Sequence, residues 1–372
     1  MITIKEVSTK KDLKDFVLFS FDLFKNNPYW VPPLIFDEIE TFDKEKNPNL
    51  KNCDIKLFLA YKNGKIVGKV AVIVNWGEVK ELGKPKTRFG WFDVIDDIEV
   101  TRLLLEKVEE FGKEKGMTHI EGPLGFSNLD KVGVLIKGFD QLSTAISWYS
   151  MPYYKDHFEQ LGLKQEKVWQ ETYFSFANVD GDKLIKASSL IEKRYKISIK
   201  NFKNTSEILP YVDEMFLLFN ETYSKLDSFV AVTEEKVSYI KSKFIKFINP
   251  EYIKFILDEN NKMLAFAIVM PNFALALQKA KGKLFPFGWW HILNAKKNSK
   301  EAVFYLIGVL PEYQNKGITA LIMAEYYKVF TKKGITKCIS TPELIDNYAI
   351  HNLWRNFDPV LNKMRATYIK EF

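Results

Sequence analysis

Apolar and polar residues alternate over 1–7 as in an edge strand. Over 10–24 the apolar positions Leu13, Phe16, Val17 and Phe24 recur at helical spacing. Asn27-Pro-Tyr-Trp-Val-Pro-Pro then stops the helix, because proline can extend neither a helix nor a central strand. Two strands, 55–61 and 66–74, flank Lys62-Asn-Gly-Lys, a two-residue hairpin signal. A strand at 89–94, an amphipathic helix at 98–115 ended by Gly116, and a strand at 118–121 follow. Beyond a Gly- and Pro-rich stretch come a turn and helix at Pro152 and a strand at 168–176.

After Asn178-Val-Asp-Gly-Asp the order starts again: a strand at 195–202, a helix at 206–226 capped by Ser206, and a helix at 233–247. A hairpin follows, 251–257 with 263–269. Then come a strand at 303–310, a helix at 317–332, a strand at 337–341, a helix at 347–356 and a strand at 361–370. The repeated order predicts two similarly built α/β units of mixed sheet, 1–178 and 179–372.

The 372 residues suit two such domains, and 47% hydrophobic with 27% charged residues is a soluble globular composition. The longest apolar run, 265–277, is broken by Pro271 and falls short of the roughly 20 residues that a membrane helix needs. The N-terminus lacks a basic region followed by an apolar one, so a cytoplasmic protein is expected. Cys53 and Cys338 stand far apart, in no metal-ligand pattern, and no metal is expected. A net charge of +7, carried by scattered lysines, favours an anionic ligand, an anionic lipid surface or nucleic acid without choosing among them.

The most informative stretch is 306–321, a strand, a short turn and a helix start. There the main-chain N–H groups of Asn315, Lys316, Gly317, Ile318 and Thr319 would point from a helix N-terminus, where donors lack partners and the dipole end is positive. Gly317 permits close approach of a diphosphate, Thr319 adds a hydroxyl and Lys316 a charge. Val309-Leu-Pro-Glu-Tyr-Gln-Asn-Lys-Gly-Ile-Thr resembles the cofactor motif of GNAT acyltransferases, with Gln314 opening it and Thr319 where that family has Gly or Ala. The resemblance implies tandem GNAT-like domains and acyl-CoA or acetyl-CoA as co-substrate. It also implies pantetheine contacts from Val309 and Leu310, and Asn347 among the cofactor residues. The matching corner of the first half carries Asp96, Asp97 and Glu99, which would repel a diphosphate, so that half is expected not to bind coenzyme A this way.

Asn27-Pro-Tyr-Trp-Val-Pro-Pro-Leu, Phe89-Gly-Trp-Phe-Asp, Gly122-Pro-Leu-Gly-Phe-Ser-Asn-Leu-Asp and Gly138-Phe-Asp resemble a narrower group, the bacterial ceramide-synthase-like double-GNAT family. So do Gly282-Lys-Leu-Phe-Pro and Glu343-Leu-Ile-Asp-Asn. That likeness implies N-acyl transfer from a thioester to a small-molecule or lipid amine. Acetyl transfer to a soluble amine, aminoacyl transfer and coenzyme binding without catalysis stand as alternatives, and a nucleic-acid partner is not expected.

Such transfer needs a neutral amine and a proton acceptor. Glu343 and Asp346 are candidate bases, although Asp346 equally suits a helix cap; His351 is a candidate proton shuttle or a packed side chain. Many GNAT enzymes place an acidic tyrosine seven residues after the helix-opening Asn. Here that residue is Trp354, whose indole cannot donate a proton near neutral pH, leaving Tyr348 as candidate acid. Aromatics between lysines over 281–297 suit core packing, the wall of an acyl tunnel or peripheral contact with the inner membrane. Asp130, Tyr153 and Tyr154 suit turns or buried hydrogen bonds as well as function.

Overall fold

The first strand, β1 (Ile2–Glu6), leads into α1 (Lys10–Leu23), which Thr9 opens. The Thr9 hydroxyl accepts the Asp12 N–H at 3.0 Å, while the Asp12 carboxylate accepts the Thr9 N–H at 3.2 Å. After α2 (Ile35–Glu40), Asn63 and Gly64 take positive φ, 53° and 75°. They fold β2 (Cys53–Lys62) back on β3 (Lys65–Asn75), the hairpin that the sequence predicts. Then come α3 (Trp76–Leu82), β4 (Lys86–Val94), α4 (Ile98–Glu114), β5 (His119–Gly122), β6 (Val134–Lys137), α5 (Tyr153–Gln160) and β7 (Lys164–Phe174).

The second half holds α6 (Gly181–Tyr195), β8 (Ser198–Lys200), α7 (Val212–Tyr223), α8 (Glu234–Phe244), β9 (Ile253–Leu257) and β10 (Met263–Pro271). It continues with α9 (Ala274–Ala280), α10 (Gly288–Asn298), β11 (Glu301–Val309) and α11 (Ile318–Lys333). It ends with β12 (Lys337–Ser340), β13 (Glu343–Leu344), α12 (Tyr348–Trp354) and β14 (Val360–Glu371). This computed structural model describes all residues except 128, 225–228 and 245–247, together with the side chains of 243 and 244. Asn128 and the expected helix ends at 226 and 247 lie outside the described residues.

Two compact units divide the chain. One comprises Met1–Gln170, Ala274–His291 and Asn362–Phe372; the other comprises Glu171–Phe273 and Ile292–Leu361. The expected single cut at 178 therefore becomes a cut at 170 with two later segments returning to the first unit. In the first unit the strand order is β1-β2-β3-β4-β5-β14, and in the second it is β7-β12-β11-β10-β9-β8. Each has one parallel pair, β4 with β5 and β11 with β12, among antiparallel neighbours. The repeat of element order is thus a repeat of topology.

The first unit's core joins Val70, Val72, Phe89, Leu104, Val108 and Phe158. A buried ion network stands beside it: Lys86 Nζ lies 2.8 Å from Glu78 Oε1 and 2.6 Å from Glu121 Oε2, and Arg88 Nε donates to Glu78 Oε2 at 2.8 Å. In the second unit α11 turns Leu321, Ile322, Tyr326 and Phe330 inward.

Two helices of the second unit depart from expectation. Residues 181–195, to which the sequence reading assigns no element, form a helix: the Asp180 carboxylate accepts the Lys183 N–H at 3.0 Å and opens α6. Gly181 lies against the Tyr327 ring of α11, so close that a Cβ would come within 2.1 Å of it. The helix expected from Ser206 starts only at Val212. Its first residues form two 3-10 turns, with Asn204 rather than Ser206 as cap and with Pro210 inside the second.

Candidate functional site

Within the second unit β11 and β12 run parallel only from Glu301↔Lys337 to Phe304↔Ser340. Thr341 N–H still donates to Phe304 O at 3.3 Å, but β11 then continues alone to Val309. A bulge at Tyr305 accompanies the parting, since Leu306 faces Ile268 while Phe304 faces Val269. Peptide groups alternate in direction along a strand. Leu310 N–H points to β10 and donates to Leu264 O at 2.9 Å, so it does not offer the main-chain donor that the sequence reading gave it. Ile307 and Val309 point the other way: Ile307 O accepts from the Tyr223 hydroxyl at 3.0 Å, and Val309 O accepts from Gln314 Nε2 at 3.2 Å.

A 3-10 turn, Pro311–Tyr313, carries the chain to Asn315 and Gly317, both left-handed at φ 62° and 79°. Gly317 is required twice over, because any Cβ there would also meet Ile191 Cδ1 of α6 at 2.7 Å. Among the described residues the N–H groups of Asn315, Gly317, Ile318 and Thr319 meet no protein acceptor. Lys316 departs from the expected set of five donors, since its N–H reaches Tyr313 O at 3.4 Å. Its ammonium lies over the Tyr313 ring at 4.7 Å and the Tyr195 ring at 5.7 Å. The turn therefore presents unpaired amides at the positive end of α11 with a cation beside them, an arrangement suited to a diphosphate.

Where the two strands part, Trp354 packs against Phe304 at 5.3 Å and stacks on Phe174 at 4.6 Å. Its indole N–H donates to Glu343 Oε1 at 2.7 Å. Glu343 Oε2 faces His351 Nε2 at 3.9 Å, and among the described residues neither atom has a hydrogen-bond partner. Burial pushes the Glu343 carboxyl up to about 8 and the nearby Glu171 adds to the rise, against hydrogen bonds from Trp354 and Ser340. Burial, helped by Arg355, holds His351 below its ordinary range, with Asp346 opposing. Near neutral pH both groups are thus predominantly uncharged, a carboxyl and an imidazole poised for proton transfer.

Of the four residues expected to act in catalysis, Glu343 and His351 come together. Asp346 is exposed on the surface and does not cap α12. Asn347 does so through its own side chain, which accepts Ile350 N–H at 3.5 Å. Tyr348 is 70% exposed. Sequence reasoning missed the part played by Trp354, which it treated only as a lost tyrosine. The available signal was spacing: Trp354 follows His351 by three positions on one helix, so both side chains face the same way. A buried indole also needs an acceptor, and Glu343 was the carboxylate at hand.

The matching corner of the first unit is built differently. Tyr153 Oη donates to Val94 O at 2.7 Å and Tyr154 Oη accepts Val94 N–H at 3.1 Å, so two tyrosines of α5 take up the strand-end peptide groups. Asp97 caps α4 by accepting Glu99 N–H at 3.1 Å and pairs with Lys62; Asp96 faces His157, and Glu99 pairs with Arg102. Asp130 serves a turn, accepting both the N–H and the hydroxyl of Ser127 at 2.8 Å. The first unit has a cleft of its own, about 530 Å³ out to its open mouth, with Lys69, Asp93 and Ser20 among tryptophans 30, 91 and 148. Among the described residues no three His, Cys, Asp or Glu side chains gather as a metal site.

No family model matches the chain. Protein YghO of Escherichia coli (strain K12) is 29% identical over 326 residues, 86% of this chain and 81% of that one. The bacterial ceramide synthase of Caulobacter vibrioides (strain NA1000 / CB15N) is 24% identical over 321 residues, 84% of this chain and 82% of that one. Among solved structures, a tandem GNAT protein from the clavulanic acid biosynthesis pathway superposes with a TM-score of 0.59 at 12% identity. That match covers 100% of this chain and 98% of the other. With the same strand order twice over, a splayed parallel pair and a glycine-gated helix start in its second unit, the chain has the fold of the tandem GNAT protein and is similar in sequence to the bacterial ceramide synthase.

Proposed function

We propose that the chain is an N-acyltransferase whose second unit moves an acyl group from an acyl-CoA thioester to a primary amine. A long-chain acyl group and a sphingoid-type or other lipid amine are the preferred pair. The observation that carries this reading is the Glu343–His351 pair beside the open end of β11. The relative named bacterial ceramide synthase supports the lipid pair.

Coenzyme A would supply the acyl group as an activated thioester. The N–H groups of Ile307 and Val309, whose carbonyls Tyr223 and Gln314 already hold, would bind its amide arm, while the α11 amides and Lys316 would hold its phosphates. Glu343 acts as base. An arriving ammonium is the counter-charge that the buried carboxyl lacks, so it favours the ionised form at the moment a proton must be taken. Trp354 fixes the carboxylate's other oxygen, and His351 passes the proton outward. The first unit, with Val94 already bonded to Tyr153 and Tyr154, has no such opening for an acyl carrier and serves acceptor binding or support.

The test incubates the full chain with acetyl-, octanoyl- and palmitoyl-CoA, with sphinganine or small amines, and follows thiol release. Release with palmitoyl-CoA and sphinganine is expected. Release with acetyl-CoA alone overturns the long-chain pair, and binding without release across all amines overturns transfer.

A further inference from the structure

Unlike a core segment, 274–291 turns its largest side chains outward. Leu275 is 62% exposed, Phe285 78%, Phe287 69%, Trp289 44% and Trp290 53%. Of the readings open from sequence, core packing fits only the base of the segment, and rings this exposed do not wall a tunnel. Gly282 lies under Phe21 and Ile35, where a Cβ would come within 2.5 Å of a ring carbon, and its carbonyl accepts Ile35 N–H at 2.9 Å. Gln278 Nε2 donates to Pro28 O at 2.8 Å and Trp30 O at 2.9 Å. Gly288 closes the turn so tightly that a Cβ would meet Lys283 O at 1.9 Å, and Trp289 N–H donates back to Leu284 O at 2.8 Å. A tightly built turn on a bonded base thus holds aromatic rings in water, where they incur a standing cost unless something covers them.

The charge around them narrows what that is. Lys279, Lys281 and Lys283 are exposed beside the rings, and 274–291 contains no Asp or Glu. The wider stretch 261–300 carries seven lysines and no acid, equal to the +7 of the whole chain. Lysine is depleted at the cores of protein interfaces, where its charge would be stranded. At a bilayer surface the same mixture is favourable: aromatic rings sit at headgroup depth, and lysines reach anionic phosphates along their own alkyl stems. We propose that the face made by Leu275, Phe285, Phe287, Trp289 and Trp290, with these three lysines, docks the chain onto an anionic lipid surface. The proposal rests on this surface alone and is independent of acyl transfer.

The full chain is sedimented with vesicles of phosphatidylcholine, with and without phosphatidylglycerol. Binding is expected to need phosphatidylglycerol and to weaken with salt. A Phe285→Ser, Phe287→Ser, Trp290→Ser variant should lose roughly a hundredfold in vesicle affinity or more at an unchanged melting temperature. Lys279→Gln, Lys281→Gln, Lys283→Gln should remove the preference for the anionic lipid. Wild-type protein left in the supernatant, or an aromatic variant that binds as the wild type does, overturns the proposal. So does a dimer that the aromatic variant abolishes, because a second copy would then cover the face. Should that variant fail to fold, brominated phospholipid is expected to quench the wild-type tryptophans and to quench Trp289→Phe, Trp290→Phe markedly less. Equal quenching of both overturns the proposal.

Discussion

Replacing Glu343 by Gln keeps the shape of the side chain and its acceptor for Trp354 but removes the titration. In the folded chain this carboxyl holds its proton up to about 8, whereas an unfolded chain releases it near 4.5. Between those values the native state binds more protons than the denatured one, so wild-type stability must fall as pH rises through the window. Only 10% of the side chain is exposed, so solvent screens little of the effect. The loss is on the order of 4 kcal/mol by about pH 8. Glu343→Gln escapes it. Its melting temperature should therefore match the wild type near about pH 5 and exceed it by roughly 10 °C at about pH 9 for the transition of the second unit. The assay is calorimetry or circular dichroism of both proteins across that range. A melting difference that stays flat from acid to alkaline pH would refute the claim that this carboxyl is buried as a neutral acid. The same substitution should lower turnover by roughly a hundredfold or more, as loss of a base does.

Trp354→Phe keeps the stacking on Phe174 but withdraws a hydrogen bond from Glu343 Oε1, so the rise of the rate with pH should move to still higher pH, read from a kcat/KM profile. Lys316→Glu places a negative charge beside the α11 amides; the Kd for coenzyme A, measured by calorimetric titration, should weaken by about tenfold or more, with an unchanged melting curve. In the first unit, burial alone would raise the Glu78 carboxyl, but Arg88 and Lys86 reverse this and hold it at about 2. Its stabilising effect is complete above about 4.5 and fades as pH falls towards 2. Glu78→Gln should cost about 3 kcal/mol or more at neutral pH in urea unfolding, leaving Lys86 and Arg88 short of a buried partner, and less in acid.

Local signals carried most of the element order, because they depend on a few adjacent residues. The Asn63-Gly64 turn and the Gly116 and Gly334 helix ends lie where their left-handed φ values demand. The helix α6 escaped notice for a physical reason: it buries fully only Gly181 and Ser188, so its apolar stripe is faint, and its place is fixed by α11 more than a hundred residues on. The anion turn was legible in Gly317, whose steric need is local, yet the fate of the Leu310 N–H was not, since Leu264 claims it from another strand. Glu343 and His351 could be named as candidates from their place in the motif. Their approach to each other depends on Trp354 and Phe174 packing beneath them, a long-range result that no spacing rule encodes.

The strand that completes the first unit's sheet follows the whole of the second unit in sequence. Asn362–Phe372 pairs with β5, Tyr368 opposite Gly122, so a ribosome must make the second unit before that sheet can acquire this member. Synthesis and maturation therefore run out of order: β5 waits, with an unsatisfied edge, for residues made after the second unit. Removing Asn362–Phe372 spares every group at the Glu343 site itself and damages the unit whose other strands precede that site in sequence.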